Sequence, residues 1–168
     1  GIKFELKKTY TTCLKQSLPF YLTNAQKRVI REIVADMTSD YQMNRLLQGD
    51  VGSGKTIVTL FTLLIAIENN HQAALLVPTE ILAEQHFLTF TRLLSNQPEI
   101  KICLLKGGVY KGKKETISAI AEGEIDIVIG THALLQKDIV FNRLGLIAID
   151  EQHRFGVLQR GKLSKQNT

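Results

Sequence analysis

Short apolar runs alternate along the chain with longer segments in which apolar residues recur every three or four positions. The short runs predict β-strands at residues 45–48, 73–77, 100–105, 126–129 and 146–150. The longer segments predict helices at residues 24–37, 55–69, 80–94 and 113–121, the last of them ended by Gly123. Strands that are apolar on both faces are typical of a parallel sheet covered by helices on each side. The predicted fold is therefore α/β, with ligands expected at the carboxyl ends of the strands.

A phosphate-binding loop is predicted between the first strand and the helix after it. Residues 49–56 read GDVGSGKT and match G-x-x-x-x-G-K-[ST] at every fixed position. Glycines without a Cβ let successive backbone N–H groups face phosphate oxygens, and the following helix points its positive end at the same anion. The predicted nucleotide contacts are Gly49, Asp50, Val51, Gly52, Ser53, Gly54, Lys55 and Thr56. The alternative is a turn that binds nothing.

Two residues of that loop have separate expected roles. Lys55 is expected to reach the β- and γ-phosphates of a nucleoside triphosphate from an exposed position at the loop end. Thr56 is expected to place its hydroxyl on Mg²⁺.

An acidic pair follows the last predicted strand. Asp150 suits the outer shell of Mg²⁺, which takes one or two carboxylates and phosphate oxygens, and Glu151 suits the polarisation of an attacking water. Such a pair is often only a solvated turn. Its occurrence with the phosphate loop in one small domain favours phosphoryl chemistry.

Composition bounds the class of protein. At 168 residues, with 44% hydrophobic and 22% charged residues, the chain suits one globular domain. The longest apolar stretch, 57–67, is shorter than the roughly 18 to 20 residues that cross a bilayer, so we expect a buried helix. Residues 1–10 lack the apolar segment of a signal peptide, which indicates a cytoplasmic protein without membrane partners. His71 and His86 have no metal-ligand spacing and are interpreted as having no functional role.

Charge permits a polyanionic partner. The net charge is +5, and lysines crowd a glycine-rich segment at Lys106, Lys111, Lys113 and Lys114. Gly107 and Gly108 would let the backbone approach a phosphate chain closely. A solvated loop is the alternative.

Three junctions carry polar residues with two interpretations each. Gln26, three residues after Thr23, predicts either a capping box or an amide contact to an adenine edge, with Phe20 packing on the base. Thr79 after Pro78, and Thr131 before His132, each join a strand to a helical segment. Both threonines suit ordinary N-caps or anion sites along a sugar-phosphate backbone.

The segments LPFYLTNAQ, GDVGSGKT, VPTEILAEQH, GTHALLQ and DEQHRFGVLQR resemble, in order and spacing, the first motor lobe of superfamily 2 helicases. The resemblance is strongest to the RecG family of bacterial branched-DNA helicases and extends over residues 18–163. The Mfd family of transcription-repair coupling translocases looks similar, but it usually shows DEEH and GDVGFGKT. This chain has Gln152 and Ser53 at the differing positions.

The resemblance implies a RecA-like ATPase lobe of a double-stranded-DNA translocase that uses ATP and Mg²⁺ at stalled forks and recombination junctions. It assigns Gln26 to adenine sensing, Lys55 and Thr56 to motif I, and Asp150 and Glu151 to motif II. Its implied nucleic-acid contacts are Pro78, Thr79, Gln85, Gly107, Thr131 and His132. Lys106 stands where the family has threonine before Gly107, and Gln152 and His153 are expected to couple phosphate binding to a neighbouring lobe.

The same resemblance implies that residues 1–168 are the ATP-binding domain of a longer protein. Family members continue with an S/T-A-T motif and a second RecA-like lobe that carries arginine fingers, and they begin with a wedge domain. An arginine finger contributes about 10³ to 10⁵ in rate, so we expect little turnover from this lobe alone. Residues 162–168 are expected to be a disordered tail. The alternatives are an Mfd-like lobe or a non-hydrolysing nucleotide-binding module, although Glu151 argues against the latter.

Overall fold

The computed structural model describes residues 4–38, 44–48, 53–151 and 154–159. Its helices are α1 (Tyr10–Ser17), α2 (Asn24–Met37), α3 (Ser53–Glu68), α4 (Glu80–Leu93) and α5 (Lys113–Ala121), with a 3-10 helix at His132–Leu135. Its strands are β1 (Asn44–Gln48), β2 (Gln72–Leu76), β3 (Ile102–Leu105), β4 (Ile127–Gly130), β5 (Leu144–Glu151) and β6 (Arg154–Gln159). Every strand and helix predicted above is present, with its ends within two residues. The two elements that the periodicity did not predict are α1 and β6.

The strands form one sheet in the order β1-β6-β5-β2-β4-β3. Strands β5, β2, β4 and β3 pair in parallel, whereas β6 is antiparallel to both β5 and β1. Because β1 and β5 are each antiparallel to β6, they run in the same direction as each other. The carboxyl ends of β1 to β5 therefore lie along one rim of the sheet. The predicted RecA-like, mainly parallel α/β fold is confirmed, with β6 as an antiparallel insertion.

Helices cover both faces of the sheet, but unequally. One face packs against α1, α2, α3 and α4 through a core that includes Leu14, Ile33, Leu64, Ala73, Leu75, Phe90, Ile127 and Ile129. The other packs against α5 and the 3-10 helix through Ala74, Leu105, Ile120, Val128, Leu134 and Ile147. Successive strand residues alternate between the two cores, as the pleat requires.

Helix α3 lies between the sheet and two other helices. It contacts β2 and β5 on one side and α1 and α2 on the other, and every residue from 57 to 67 is buried. A helix that is apolar all round is stable only in such a position. In the described ranges, no helix has the length and apolar character that crossing a membrane requires.

A buried carboxylate of α3 holds the start of α1. Thr9, which precedes α1, makes no side-chain capping bond, and Glu68 of α3 accepts hydrogen bonds in its place. Its Oε2 accepts from the backbone N–H groups of Thr9, Tyr10 (2.9 Å) and Thr11 (3.5 Å). Glu68 is 6% exposed, so this contact joins α1 to the centre of the domain.

Candidate functional site

The rim formed by the carboxyl strand ends collects the polar residues that the sequence singled out. Leu76 of β2 pairs with Gly130 of β4 and with Ile149 of β5, and Gly130 also pairs with Leu105 of β3. The residues that follow these positions therefore leave the sheet side by side. They include the predicted nucleic-acid residues Pro78, Thr79, Gly107, Thr131 and His132. Asp150 lies at the same rim, still within β5.

Lys55 lies inside α3 instead of at the end of a loop, which corrects the expected exposure. The helix begins at Ser53, two residues earlier than predicted, so Lys55 belongs to its first turn. The Lys55 Nζ is buried, and it has no hydrogen-bond partner in the described part of the chain. Because a buried ammonium without a partner is costly, an anion at this point compensates for the lost hydration. The site therefore fits a phosphate group.

Asp150 is the predicted carboxylate ligand of magnesium, and the structure describes its side chain. It is 19% exposed, and its Oδ2 lies 3.6 Å from His86 Nε2. No group of three or more His, Cys, Asp or Glu side chains able to hold a metal ion occurs among the described residues. Magnesium needs only one or two protein carboxylates when phosphate oxygens complete its shell, and Asp150 fits that requirement. Thr56, the other predicted ligand, is half-buried in the first turn of α3.

His86, for which the sequence indicates no functional role, lies beside Asp150 in the structure. The histidine lies in the second turn of α4, and its side chain is 15% exposed. The spacing of ligand residues gave no signal for it, because the contact joins two distant elements. Only the tertiary fold brings the two side chains together, since α4 packs mainly on β3 and β4 while Asp150 belongs to β5.

The N-terminus of α4 is exposed at the rim. Thr79 Oγ1 accepts a hydrogen bond from the Leu82 N–H at 3.2 Å, so the capping interpretation of Thr79 is confirmed. Pro78, Thr79 and Gln85 are all exposed. This helix end therefore has the exposed surface that a contact with a sugar-phosphate backbone needs. The N–H groups of a helix N-terminus also favour an anion.

Acidic side chains of α4 bind polar groups of the neighbouring glycine-rich loop, which follows β3 and contains Lys106 and Gly107. The Gly107 N–H donates to Glu80 Oε1 at 3.2 Å, and Lys106 Nζ lies 2.5 Å from Glu84 Oε1. The hydrogen bond and the charge of Glu84 raise the pKa of Lys106 above its ordinary value. The sequence motif did not reveal the ion pair between Lys106 and Glu84, because Glu84 lies on another element.

The third junction, at the end of β4, is more closed than expected. Thr131 is 5% exposed and makes no capping hydrogen bond to the 3-10 helix, so its interpretation as an N-cap is wrong. His132, the next residue, is exposed. A Cβ at Gly130 would lie 2.5 Å from the Leu105 carbonyl oxygen, so only glycine fits where β4 passes β3. The apolar pattern of β4 does not show this requirement, although a glycine at the end of a strand signals close backbone approach.

Gln26 forms the predicted capping box. Its Oε1 accepts from the Thr23 N–H at 2.7 Å, and its own N–H donates to Thr23 Oγ1 at 3.0 Å. These bonds do not use the side-chain amide N–H donors. Nearby, Phe20 and Tyr21 are 43% and 97% exposed and line a mainly apolar groove of about 880 Å³ beside α1 and α2. Capping and a contact to a base are therefore compatible.

Several predicted residues are only partly described. Gly49, Asp50, Val51, Gly52, Gln152 and His153, and the expected tail at 162–168, lie outside the described residues. For Ser53, Gly54 and Glu151 the structure gives the backbone, which starts α3 and ends β5.

Comparison with known protein families gives a match over most of the chain. Residues 23–167 match the family described as DEAD/DEAH box helicase. The ATP-dependent DNA helicase RecG of Streptococcus pneumoniae is 52% identical over 161 residues, which are 95% of this chain and 24% of that protein. The Bacillus subtilis protein of the same name is 57% identical over 88% of this chain and 22% of its own length. The chain thus spans about a quarter of these relatives, and the predicted resemblance to RecG is confirmed.

Solved structures agree on the fold. The structure of RecG bound to a three-way DNA junction superposes with a TM-score of 0.83 at 47% identity, covering 91% of this chain and 21% of that one. The UvsW helicase from bacteriophage T4 superposes with a TM-score of 0.60 at 21% identity, covering 90% and 53%. The second likeness supports the fold alone.

Proposed function

Because the chain belongs to the DEAD/DEAH box helicase family, we propose that it is the ATP-binding motor lobe of an ATP-dependent helicase that remodels branched DNA. The single observation that carries the proposal is the buried Lys55 ammonium, which has no described partner at the start of α3. A phosphate oxygen would supply the missing negative partner. The identity to two RecG helicases over 95% and 88% of this chain supports the choice of reaction.

The residues of the lobe divide the work of phosphoryl transfer between them. Lys55 binds the β- and γ-phosphates, Thr56 and Asp150 hold Mg²⁺, and Glu151 orients the attacking water. When bound, Mg²⁺ neutralises charge on the phosphate oxygens. Gln26 presents its amide N–H donors to the adenine while its Oε1 caps α2. Gln152 and His153 couple the nucleotide to the neighbouring lobe.

The DNA track in this proposal follows the exposed part of the rim. Pro78, Thr79, Gln85 and His132 are exposed there, and they line the track together with the half-buried Gly107. The buried Thr131 offers the track no surface of its own. The RecG structure similar to this chain contains a three-way DNA junction, which supports branched DNA as the partner. The chain covers only 21% to 24% of the first-named relatives. This share is consistent with a second RecA-like lobe and a wedge domain elsewhere in the same protein. The named RecG relatives are bacterial, which supports a cytoplasmic location at the nucleoid.

The test is ATP turnover by the natural protein that carries this sequence, at its full length, with and without a forked DNA. We expect DNA to stimulate hydrolysis and Glu151→Gln to remove the stimulated rate by about 10²-fold or more, because the water then lacks its orienting carboxylate. Glu122→Gln, an equal change at an exposed position after α5, serves as the control. Turnover that is indifferent to DNA would contradict the helicase proposal, and absent turnover with intact ATP binding would leave a nucleotide-binding module.

A further inference from the structure

The contact between His86 and Asp150 joins two elements with different proposed tasks. Asp150 lies near the carboxyl end of β5, where burial is already partial, whereas His86 lies on α4, whose N-terminus carries the proposed DNA contacts. Their side chains are 15% and 19% exposed, and the Nε2–Oδ2 distance is 3.6 Å. This separation is slightly longer than a hydrogen bond, and such contacts in ligand-free sites commonly shorten once the ligand is present.

The histidine ring is held by its surroundings. One turn further along α4, the fully buried Phe90 contacts the His86 ring, with the ring centroids 5.7 Å apart and the planes tilted by 46°. The backbone N–H of Gly107 also donates to Glu80 Oε1 in the first turn of α4, at 3.2 Å. The imidazole therefore approaches the carboxylate from a helix packed in the core instead of from a loop.

We propose that His86 is a positioning residue, which orients the Asp150 carboxylate for magnesium and ties its position to α4. Carboxylates that hold metals are themselves hydrogen-bonded by neighbouring groups, and loss of such a neighbour typically weakens metal binding by about 10- to 100-fold. His86 Nε2 approaches Oδ2 of Asp150, and this carboxylate would hold the magnesium ion. The inference rests on the proposed function, since it takes Asp150 as a magnesium ligand.

The test measures metal binding directly, in the full-length natural protein, with Mn²⁺ as the spectroscopic probe for Mg²⁺ and a non-hydrolysable ATP analogue. Electron paramagnetic resonance reports the free Mn²⁺. His86→Leu keeps packing against Phe90 but removes the donor, and it is expected to weaken Mn²⁺ binding about tenfold. His86→Gln, which retains an N–H donor near the position of Nε2, is expected to stay within about threefold of the wild-type affinity. Affinity for the nucleotide without metal should be unchanged in both variants.

Asp150→Asn separates failure of this inference from failure of the proposed function. If Asp150→Asn weakens Mn²⁺ binding and His86→Leu does not, the positioning role is overturned and the nucleotide site stands. If Asp150→Asn has no effect, the magnesium assignment fails and the role of His86 falls with it. Equal losses in His86→Leu and His86→Gln would also overturn the inference, because a donor would then be immaterial. His86→Ala repeats the comparison with a smaller side chain should the leucine variant fold poorly.

Discussion

The side chain of Lys55 shows how a residue suited to ligand binding can lower the stability of the protein without its ligand. Its Nζ is buried without a described partner, although the residue as a whole is only half-buried. Hydration lost by such an ammonium is recovered only when an anion arrives. Among the described residues no group pairs with this ammonium at the start of α3, so a phosphate that binds there would supply its partner.

Lys55→Met should abolish ATP binding without loss of stability. The methionine keeps the apolar stem and removes the uncompensated ammonium, so we expect the free energy of unfolding without nucleotide to stay equal or rise by about 1 kcal/mol. Urea unfolding and titration with a fluorescent ATP analogue measure the two effects. Lys114→Met, at an exposed position of α5, provides a matched control that should leave nucleotide binding unchanged. A marked loss of stability in Lys55→Met would show that the ammonium has a structural partner.

Helix α1 shows at the element scale how a short helix is stabilised from outside itself. It spans eight residues, too few to be stable alone, and its preceding Thr9 provides no cap. Glu68 of α3 supplies the capping carboxylate, which also complements the positive end of the α1 dipole. The stability of α1 therefore depends on a residue more than fifty positions away along the chain.

Glu68→Ala should release α1 and lower the free energy of unfolding by about 2 to 3 kcal/mol, because it leaves several N–H groups without their charged acceptor. Glu68→Gln keeps one oxygen acceptor and should cost about 1 kcal/mol. Urea unfolding gives the two values, and amide hydrogen exchange at residues 9 to 11 shows whether the loss is local. Unchanged protection at these amides in Glu68→Ala would contradict the capping role.

At the rim of the sheet, the residues proposed to bind DNA lie close to those proposed to bind the nucleotide. Helix α4 presents Thr79 and Gln85 on its exposed side and reaches Asp150 through His86 on the other. It also holds the glycine loop after β3 through Glu80 and Glu84. The Lys106–Glu84 pair has side chains that are 38% and 46% exposed, and solvent strongly screens such surface pairs. We therefore expect a phosphate of the proposed DNA partner to displace Glu84 from Lys106 readily.

Glu84→Gln should strengthen DNA binding by the full-length natural protein, because Lys106 is then free to bind a phosphate. One extra phosphate contact makes the slope of log affinity against log salt steeper by about 0.9. Fluorescence anisotropy with a forked DNA at several salt concentrations measures this slope. Glu115→Gln makes the same change of charge on the neighbouring α5 and is the control. Equal slopes in the two variants would mean that Lys106 does not contact DNA.

Features that depend on residues close together in the chain could be predicted from the amino-acid sequence. Apolar periodicity predicted the parallel strands and their helices, since burial of one or both faces imposes a period of two or 3.6 on the chain. Fixed spacings in GDVGSGKT and the acidic pair at Asp150 predicted the nucleotide site, because phosphate and Mg²⁺ demand those residue types. Thr23 with Gln26 and Thr79 with Leu82 are local caps, and the structure contains both.

Contacts between residues far apart along the chain became visible only in the three-dimensional structure. The partners of His86, Lys106 and Glu68 each come from another element, so no window of sequence shows them. Helix α1 was missed because its cap is remote, and β6 because antiparallel pairing with β1 and β5 provides its hydrogen bonds. Burial of Lys55 Nζ likewise follows from packing around α3. Periodicity encodes which face of an element is buried, whereas its contacts depend on which other elements come to lie against that face.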